Sequence, residues 1–319
     1  MKKIGITIGD PTGIGSEITL KVINSYSGKN AIIVYGSFPI SSKIDDLIKI
    51  NDIYEVKKFH ESKLFWIPTF QDYNYKPGKP SKQSGLSAYN AIKKAGEDAF
   101  QKKIDAIVTG PLSKHFIQLT YPDFVGHTEF FAKQSLTENF VMSFFSEKIN
   151  VALLTTHIAL KDVSKILYKN KIINQIKLIN NSLKKLFDIK NPKLALLGLN
   201  PHSGEEGSFG DEEQKLFIPI IKHLNEENIY IDGPFPADTF FVGNFQKYDI
   251  IISAYHDQGL IPFKMLSFNK GVNVTFGLPY IRTSVDHGTA FDIAGKNIAS
   301  EKSMSEALKL AEIMVKGVE

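Results

Sequence analysis

The chain has 319 residues, 43% of them hydrophobic and 23% charged, with a formal net charge of +4, no cysteine and lysines dispersed along its length. That composition suits a globular protein long enough for two domains or one large α/β unit, and it excludes disulfides, thiolate metal sites and a cysteine nucleophile. There is no basic stripe of the kind that binds nucleic acid or an anionic membrane. Met1-Lys-Lys is followed by only a short apolar stretch, Ile4-Gly-Ile-Thr-Ile, so a cytoplasmic protein without nucleic-acid or membrane partners is expected.

In chain order, residues 2–8 read as a first strand, ending in the turn Gly9-Asp-Pro-Thr-Gly-Ile-Gly15. A helix over 16–25 follows, with Glu17 near its positive end. Residues 31–35 form a second strand, 38–50 read as a helix, and 55–67 hold one or two weaker strands. The polar loop 75–85 leads into a helix over 86–101, and the apolar strand 104–108 ends in Thr109-Gly-Pro-Leu-Ser113. After Gly126-His-Thr-Glu129 comes a short amphipathic helix, then paired strands near 140–145 and 151–155. A long helix over 162–187, strand 194–199, helix 211–227, strand 249–253, helix 257–265, strand 272–276 and a closing helix over 304–315 complete the chain. This alternation argues an α/β protein with a parallel or mixed sheet. With no linker visible, a second domain is expected to be woven from the middle of the chain, leaving both termini in the first.

Three apolar runs each end on a histidine: Val151-Ala-Leu-Leu-Thr-Thr before His157, Leu194-Ala-Leu-Leu-Gly-Leu-Asn-Pro before His202, and Asp249-Ile-Ile-Ile-Ser-Ala-Tyr before His256. Short apolar runs bounded by turn residues read as buried parallel strands, and ligands of open α/β sheets sit beyond the carboxyl ends of such strands. Three imidazoles on one rim suggest a metal site with a position left for chemistry. Ordinary hydrogen bonding at strand ends is the alternative.

Arg282 is the only arginine against 37 lysines, which marks it as a candidate for a place that needs a flat, two-pronged donor for phosphate or carboxylate. It sits in a polar segment, Asn273 to Lys296, read as a strand leading into a glycine-punctuated ligand loop. The Gly9–Gly15 turn is either a phosphate cradle at a helix start or a tight turn that needs glycine. It lacks the third glycine of the dinucleotide fingerprint. Thr128 and His127 offer two donors at a helix start, and Asp257 adjoins His256 as an orienting carboxylate, a base or a cap.

Taken together, these segments resemble the 4-hydroxythreonine-4-phosphate dehydrogenase family of pyridoxal phosphate biosynthesis. The resemblance runs through Gly9-Asp10-Pro11, Thr109-Gly-Pro-Leu-Ser-Lys114, Gly126-His-Thr-Glu129, Thr155-Thr-His157, Leu199-Asn-Pro-His202, Gly233-Pro-Phe-Pro-Ala-Asp-Thr239, Tyr255-His-Asp-Gln-Gly259 and Asn273 to Lys296. Residues 38–80 offer little match. The tail from Asp286 to Lys296 is also similar to the adenosine-binding loop of the isocitrate and isopropylmalate dehydrogenases.

The resemblance implies an isocitrate/isopropylmalate dehydrogenase-like fold of two α/β/α domains with a cleft between them. Residues 1–125 with 266–319 would form the first domain and 126–265 the second. It makes His157, His202 and His256 ligands of one divalent ion (zinc, magnesium or cobalt). His127, Thr128, Lys264, Asn273 and Arg282 become the substrate-binding set, and Asp292 the partner of the NAD ribose hydroxyls, with NADP as a second option. Asp238 is the candidate proton-handling group. A homodimer with ligands shared across its interface is implied as well. The expected reaction is NAD-linked oxidation of 4-phosphohydroxy-L-threonine and loss of carbon dioxide, giving 3-amino-2-oxopropyl phosphate. The alternatives are a related dehydrogenase of phosphorylated sugar acids such as 4-phosphoerythronate or 4-phosphothreonate, and a non-oxidative acyl-phosphate transferase or metal-binding module.

Overall fold

The computed structural model describes residues 1–39, 42, 47–59, 63–70, 74–243, 245–267 and 269–318. Among them the strands are β1 (Lys3–Thr7), β2 (Ala31–Tyr35), β3 (Ile48–Lys49), β4 (Leu64–Ile67), β5 (Ala106–Thr109), β6 (Val141–Phe145), β7 (Val151–Leu153), β8 (Leu194–Leu197), β9 (Ile231–Phe235), β10 (Ile250–Ser253), β11 (Val272–Phe276) and β12 (Ile281–Val285). The α-helices are α1 (Gly15–Asn24), α2 (Lys82–Phe100), α3 (Lys114–Gln118), α4 (His127–Gln134), α5 (Val163–Ile166), α6 (Lys169–Phe187), α7 (Ile218–Glu226), α8 (Ala237–Phe240), α9 (His256–Leu266) and α10 (Lys302–Gly317). The fold is α/β, as the alternation predicts.

The chain divides into two compact units: Met1–Glu138 with Leu278–Val315, and Asn139–Gly277 with Lys316–Glu319. These divisions fall at other positions than residues 125 and 265. Helix α4 packs on α2 and so stays with the first unit, whereas β11 pairs with β6 and so joins the second.

In the first unit the strand order is β3-β4-β2-β1-β5-β12, parallel throughout. Strands β1, β2, β5 and β12 are buried almost without interruption, which is why they lack the polar alternation of a half-exposed sheet. Helix α2 lays Ala88, Ala91, Ile92 and Ala95 against Ile33, Tyr35 and Ile107. It starts where the Ser81 and Ser84 hydroxyls each accept from the other's backbone N–H. That reciprocal cap extends the helix toward its N-terminus beyond the expected residue 86.

The second unit has the order β11-β6-β7-β10-β8-β9. Strand β6 runs antiparallel to both neighbours, and β7, β10, β8 and β9 run parallel. Its core joins Val151, Leu153, Ala195, Leu197 and Ile251 to Leu260 and Phe263 of α9. Helix α9 lies close because residue 259 is glycine: a Cβ there would stand 2.5 Å from Ser253 Oγ and 2.6 Å from Val151 Cγ1.

Several expectations need correction. The helix expected over 38–50 gives way to strand β3 at its end, residues 40, 41 and 43–46 lying outside those described. Over 55–67, where one or two weak strands are expected, one, β4, forms among the described residues, and Ile53–Lys58 before it is a 3-10 turn closed by an Asp52–Glu55 capping box. The long helix over 162–187 is broken, its main part being α6. Besides β3, strands β9 and β12 lie outside the expected strands. Strand β9 carries a glycine and a proline, and Arg282 stands in β12 rather than in a loop. Polar residues on a fully buried strand mimic loop composition.

Gly259→Val should push α9 off β7 and β10, costing about 1–3 kcal/mol for the overpacking. Urea unfolding of the variant should show a lowered midpoint; an unchanged midpoint would contradict the close approach.

Candidate active site

Strands β7, β10 and β8 are adjacent and parallel, so the chain leaves all three on the same edge of the sheet. His157, His256 and His202 follow within a few residues of those ends. Hydrogen bonds tie the ends together. Thr155 Oγ1 donates to the Ala254 carbonyl at 2.7 Å. The Gln258 side chain accepts from Ala254 N at 2.8 Å and donates to the Gly198 carbonyl at 2.6 Å. One amide therefore bridges β10 and β8.

The His157 and His256 ring centres are 6.1 Å apart. With metal–nitrogen bonds of about 2.0–2.1 Å, two imidazoles on one ion place their centres roughly 5–6 Å apart, so a small rotation suffices. Asp257 Oδ1 meets His256 Nδ1 at 2.6 Å, which leaves Nε2 as the nitrogen for an ion, the usual carboxylate–imidazole arrangement around metals. The donor set therefore fits a divalent cation. His202 is placed differently, its ring 6.1 Å from that of Phe209. Among the described residues of one chain, no three His, Asp or Glu side chains gather tightly enough to hold an ion.

His202 opens an unusual turn. From His202 to Glu206 the backbone is left-handed throughout, with φ of 51°, 52°, 80°, 38° and 54°. Four of these five residues are not glycine, and each left-handed non-glycine residue costs roughly 1–2 kcal/mol. Glu213, which is 1% exposed, holds the entrance to this turn. Its Oε1 accepts from Leu199 N at 2.7 Å and Asn200 N at 2.8 Å, and its Oε2 from Asn200 Nδ2 at 2.9 Å. Asp238 is exposed in the first turn of α8, which packs against the His202 turn. Lys264 is exposed in the last turn of α9, and Asn273 is half-buried on β11.

The first unit holds a separate polar cluster. Arg282 is 3% exposed, and its Nη2 donates to Thr109 Oγ1 at 2.9 Å and its Nη1 to Thr128 Oγ1 at 3.3 Å. Burial pushes this guanidinium down to about 10, which leaves it charged at neutral pH. His127 begins α4, its Nε2 buried without a hydrogen-bond partner. Its ring surface is partly accessible, but the buried nitrogen controls the proton. Burial first, then the charges of Arg282 and Lys114, hold its pKa well below 6.5. A helix start, a guanidinium and a neutral imidazole are groups whose chemistry suits an anion. Sequence reasoning missed Thr109 as the anchor of Arg282 and Lys114 as part of this field, although both stand in the quoted Thr109–Lys114 motif. Glu213 and Gln258 were missed as well, because nothing local distinguishes them from surface residues.

Asp292 is exposed on the segment that follows β12. The Gly9–Gly15 turn braces that segment. Ile14 N donates to Thr289 O at 2.9 Å, and Gly13 faces Thr289 so closely that a Cβ would stand 2.8 Å from its carbonyl. On α1, Glu17 Oε1 accepts from Ala299 N at 2.9 Å and Lys21 Nζ donates to Ala299 O at 2.7 Å. A cavity of about 560 Å³ is lined by Gly13, Ser16, Glu17, Pro77, Gly295 and Asn297.

Residues 28–311 match the family of the pyridoxal phosphate biosynthetic protein PdxA. The chain is 43% identical to 4-hydroxythreonine-4-phosphate dehydrogenase of Sulfurihydrogenibium sp. (strain YO3AOP1), covering 98% of each. It is 37% identical to D-threonate 4-phosphate dehydrogenase of Salmonella typhimurium, over 97% of this chain and 98% of the other. The crystal structure of 4-hydroxythreonine-4-phosphate dehydrogenase from Klebsiella pneumoniae is similar with a TM-score of 0.83 and 33% identity, over 99% of this chain and 100% of that one.

Because burial depresses the His127 pKa below its ordinary 6.5, protonation favours the unfolded chain. The stability tied to the neutral ring is present above about pH 6.5 and lost as pH falls below it. Urea unfolding free energy should therefore fall more steeply between about pH 7 and about pH 5 in the wild type than in His127→Gln. Identical slopes would contradict a buried neutral imidazole.

Proposed function

Since the chain belongs to the PdxA family, we propose that it oxidises 4-phosphohydroxy-L-threonine with NAD and releases carbon dioxide and 3-amino-2-oxopropyl phosphate. It is an NAD-dependent oxidoreductase acting on a secondary alcohol. The observation that carries the reading is the alignment of β7, β10 and β8, which brings His157, His256 and His202 out on one edge.

These three histidines are the proposed ligands of a divalent ion, and imidazole donors suit zinc or cobalt better than magnesium. Such an ion supplies Lewis acidity toward the substrate's hydroxyl and toward the carbonyl produced. The second unit of one chain does not gather the three rings by itself, which supports a homodimer that shares ligands between its subunits. In isocitrate/isopropylmalate-type folds of this kind, the adenosine loop replaces the usual dinucleotide fingerprint.

His127, Thr128 and Arg282, with Lys264 and Asn273, are the proposed substrate contacts. The buried guanidinium and the start of α4 would take an anionic group of the substrate, phosphate or carboxylate. Neutral His127 can donate or accept a hydrogen bond there without adding repulsion to Arg282. The Asp292 carboxylate would accept from the ribose hydroxyls of NAD and repel a 2′-phosphate, which favours NAD over NADP. Asp238 would accept the hydroxyl proton as hydride leaves the same carbon. The resulting β-keto acid then loses its carboxylate as carbon dioxide, and the carbon it leaves takes up a proton.

A second reading rests on the 37% identity with the Salmonella typhimurium D-threonate 4-phosphate dehydrogenase. That substrate differs at the carbon beside the carboxylate, carrying hydroxyl where phosphohydroxythreonine carries ammonium. NADH formation on both compounds, with and without a chelator, separates the readings. We expect turnover of phosphohydroxythreonine, its loss with chelator, and loss in each of His157→Ala, His202→Ala and His256→Ala by about 10³-fold or more. Preferential turnover of phosphothreonate would favour the second reading, and chelator-resistant activity would remove the metal.

A further inference from the structure

We infer that Glu213 is a positioning residue for His202: its carboxylate holds the left-handed turn that presents this imidazole, and so sets the affinity of the site for a divalent cation. The inference rests on the proposed role of His202 as a ligand.

The argument begins with what the turn would do unaided. A run of left-handed residues that includes histidine, serine and two glutamates has no intrinsic preference for that conformation. Relaxation toward right-handed or extended backbone would redirect His202, the first residue of the run. Something outside the run must over-determine it.

Glu213 is the group placed to do so. It lies buried at the start of the helical segment ahead of α7, and its carboxylate closes on the two backbone N–H groups that precede the turn. Its other oxygen takes the Asn200 amide, which also donates to Glu212 Oε2 at 2.7 Å. The turn folds back over the same carboxylate, since a Cβ on Gly204 would stand 2.7 Å from Glu213 Oε2. Residues before and within the turn thus converge on one side chain. Gln258 then fixes the Gly198 carbonyl from the His256 side. Together these contacts fix both the place and the course of the segment leading to His202.

A glutamate with only a general structural role would lower the melting temperature without selectively weakening metal binding. The test is therefore cobalt(II) binding to the intact, metal-stripped protein, followed by calorimetry and by the visible absorption of the bound ion. NADH binding is titrated in parallel, because Asp292 and its loop lie in the other unit. We expect Glu213→Ala to weaken cobalt(II) binding about 10- to 100-fold and to leave NADH binding within about threefold. Glu213→Gln keeps an oxygen for the two backbone donors but opposes its own amide to that of Asn200, so its loss should be smaller. If Glu213→Ala does not fold, Glu213→Gln and Asn200→Ala are read instead.

His202→Ala separates the two layers of the argument. Weakened cobalt(II) binding in His202→Ala, with wild-type affinity in the folded Glu213 and Asn200 variants, overturns the positioning role alone. Wild-type affinity in His202→Ala overturns the ligand assignment and the inference with it.

Discussion

The pairing of β7, β10 and β8 as parallel neighbours is the constraint on which the account depends. Parallel strands share one carboxyl-terminal edge, so polar residues just beyond each strand are delivered to a common rim. Were β10 antiparallel to either neighbour, His256 would leave from the opposite edge. The antiparallel β6 shows that this unit tolerates such a reversal. Because β6 lies outside the trio, beside β7 on the side opposite β10, the rim is preserved. Gln258 and Thr155 then hold the strand ends in register after regular pairing has stopped.

The two units handle polar groups by different physics. In the first, burial lowers the proton affinity of both groups, yet the guanidinium, with Glu129 acting in its favour, keeps its charge while the imidazole beside it is held neutral. Two buried cations would repel one another, so the unequal proton affinities permit both groups to lie side by side in the proposed substrate site. In the second, the histidines are exposed or half-buried, as suits the proposed ion ligands, and order comes from beneath. A buried carboxylate collects N–H donors, and Asp257 orients a ring. Strain in the His202 turn is retained because hydrogen bonds to Glu213 outlast the local preference of the chain.

Much of this was legible in the sequence where chemistry and local pattern coincide. The apolar runs that end on His157, His202 and His256 announced buried parallel strands, since nothing in them alternates. Arg282 was marked by scarcity, and it proved to be buried against Thr109 and Thr128. What the sequence could not convey was order in space. The adjacency of β7, β10 and β8 follows from the crossovers through α6 to β8 and then through α7, β9 and α8 to β10, which no single strand's residues announce. Strand β12 was hidden because arginine, threonine and serine resemble a loop until tertiary contacts satisfy them. Glu213 stands in a run of acidic residues after Gly210, and only the folded turn shows why one of them is buried.

The most direct measurement is anomalous diffraction at the zinc edge from crystals of the assembled protein grown with zinc. The account predicts one strong peak per site, bonded at about 2.0–2.1 Å to ring nitrogens of His157, His202 and His256, whichever subunits supply them. A site whose ligands omit these histidines, or an ion with His202 turned away from it, would contradict the account.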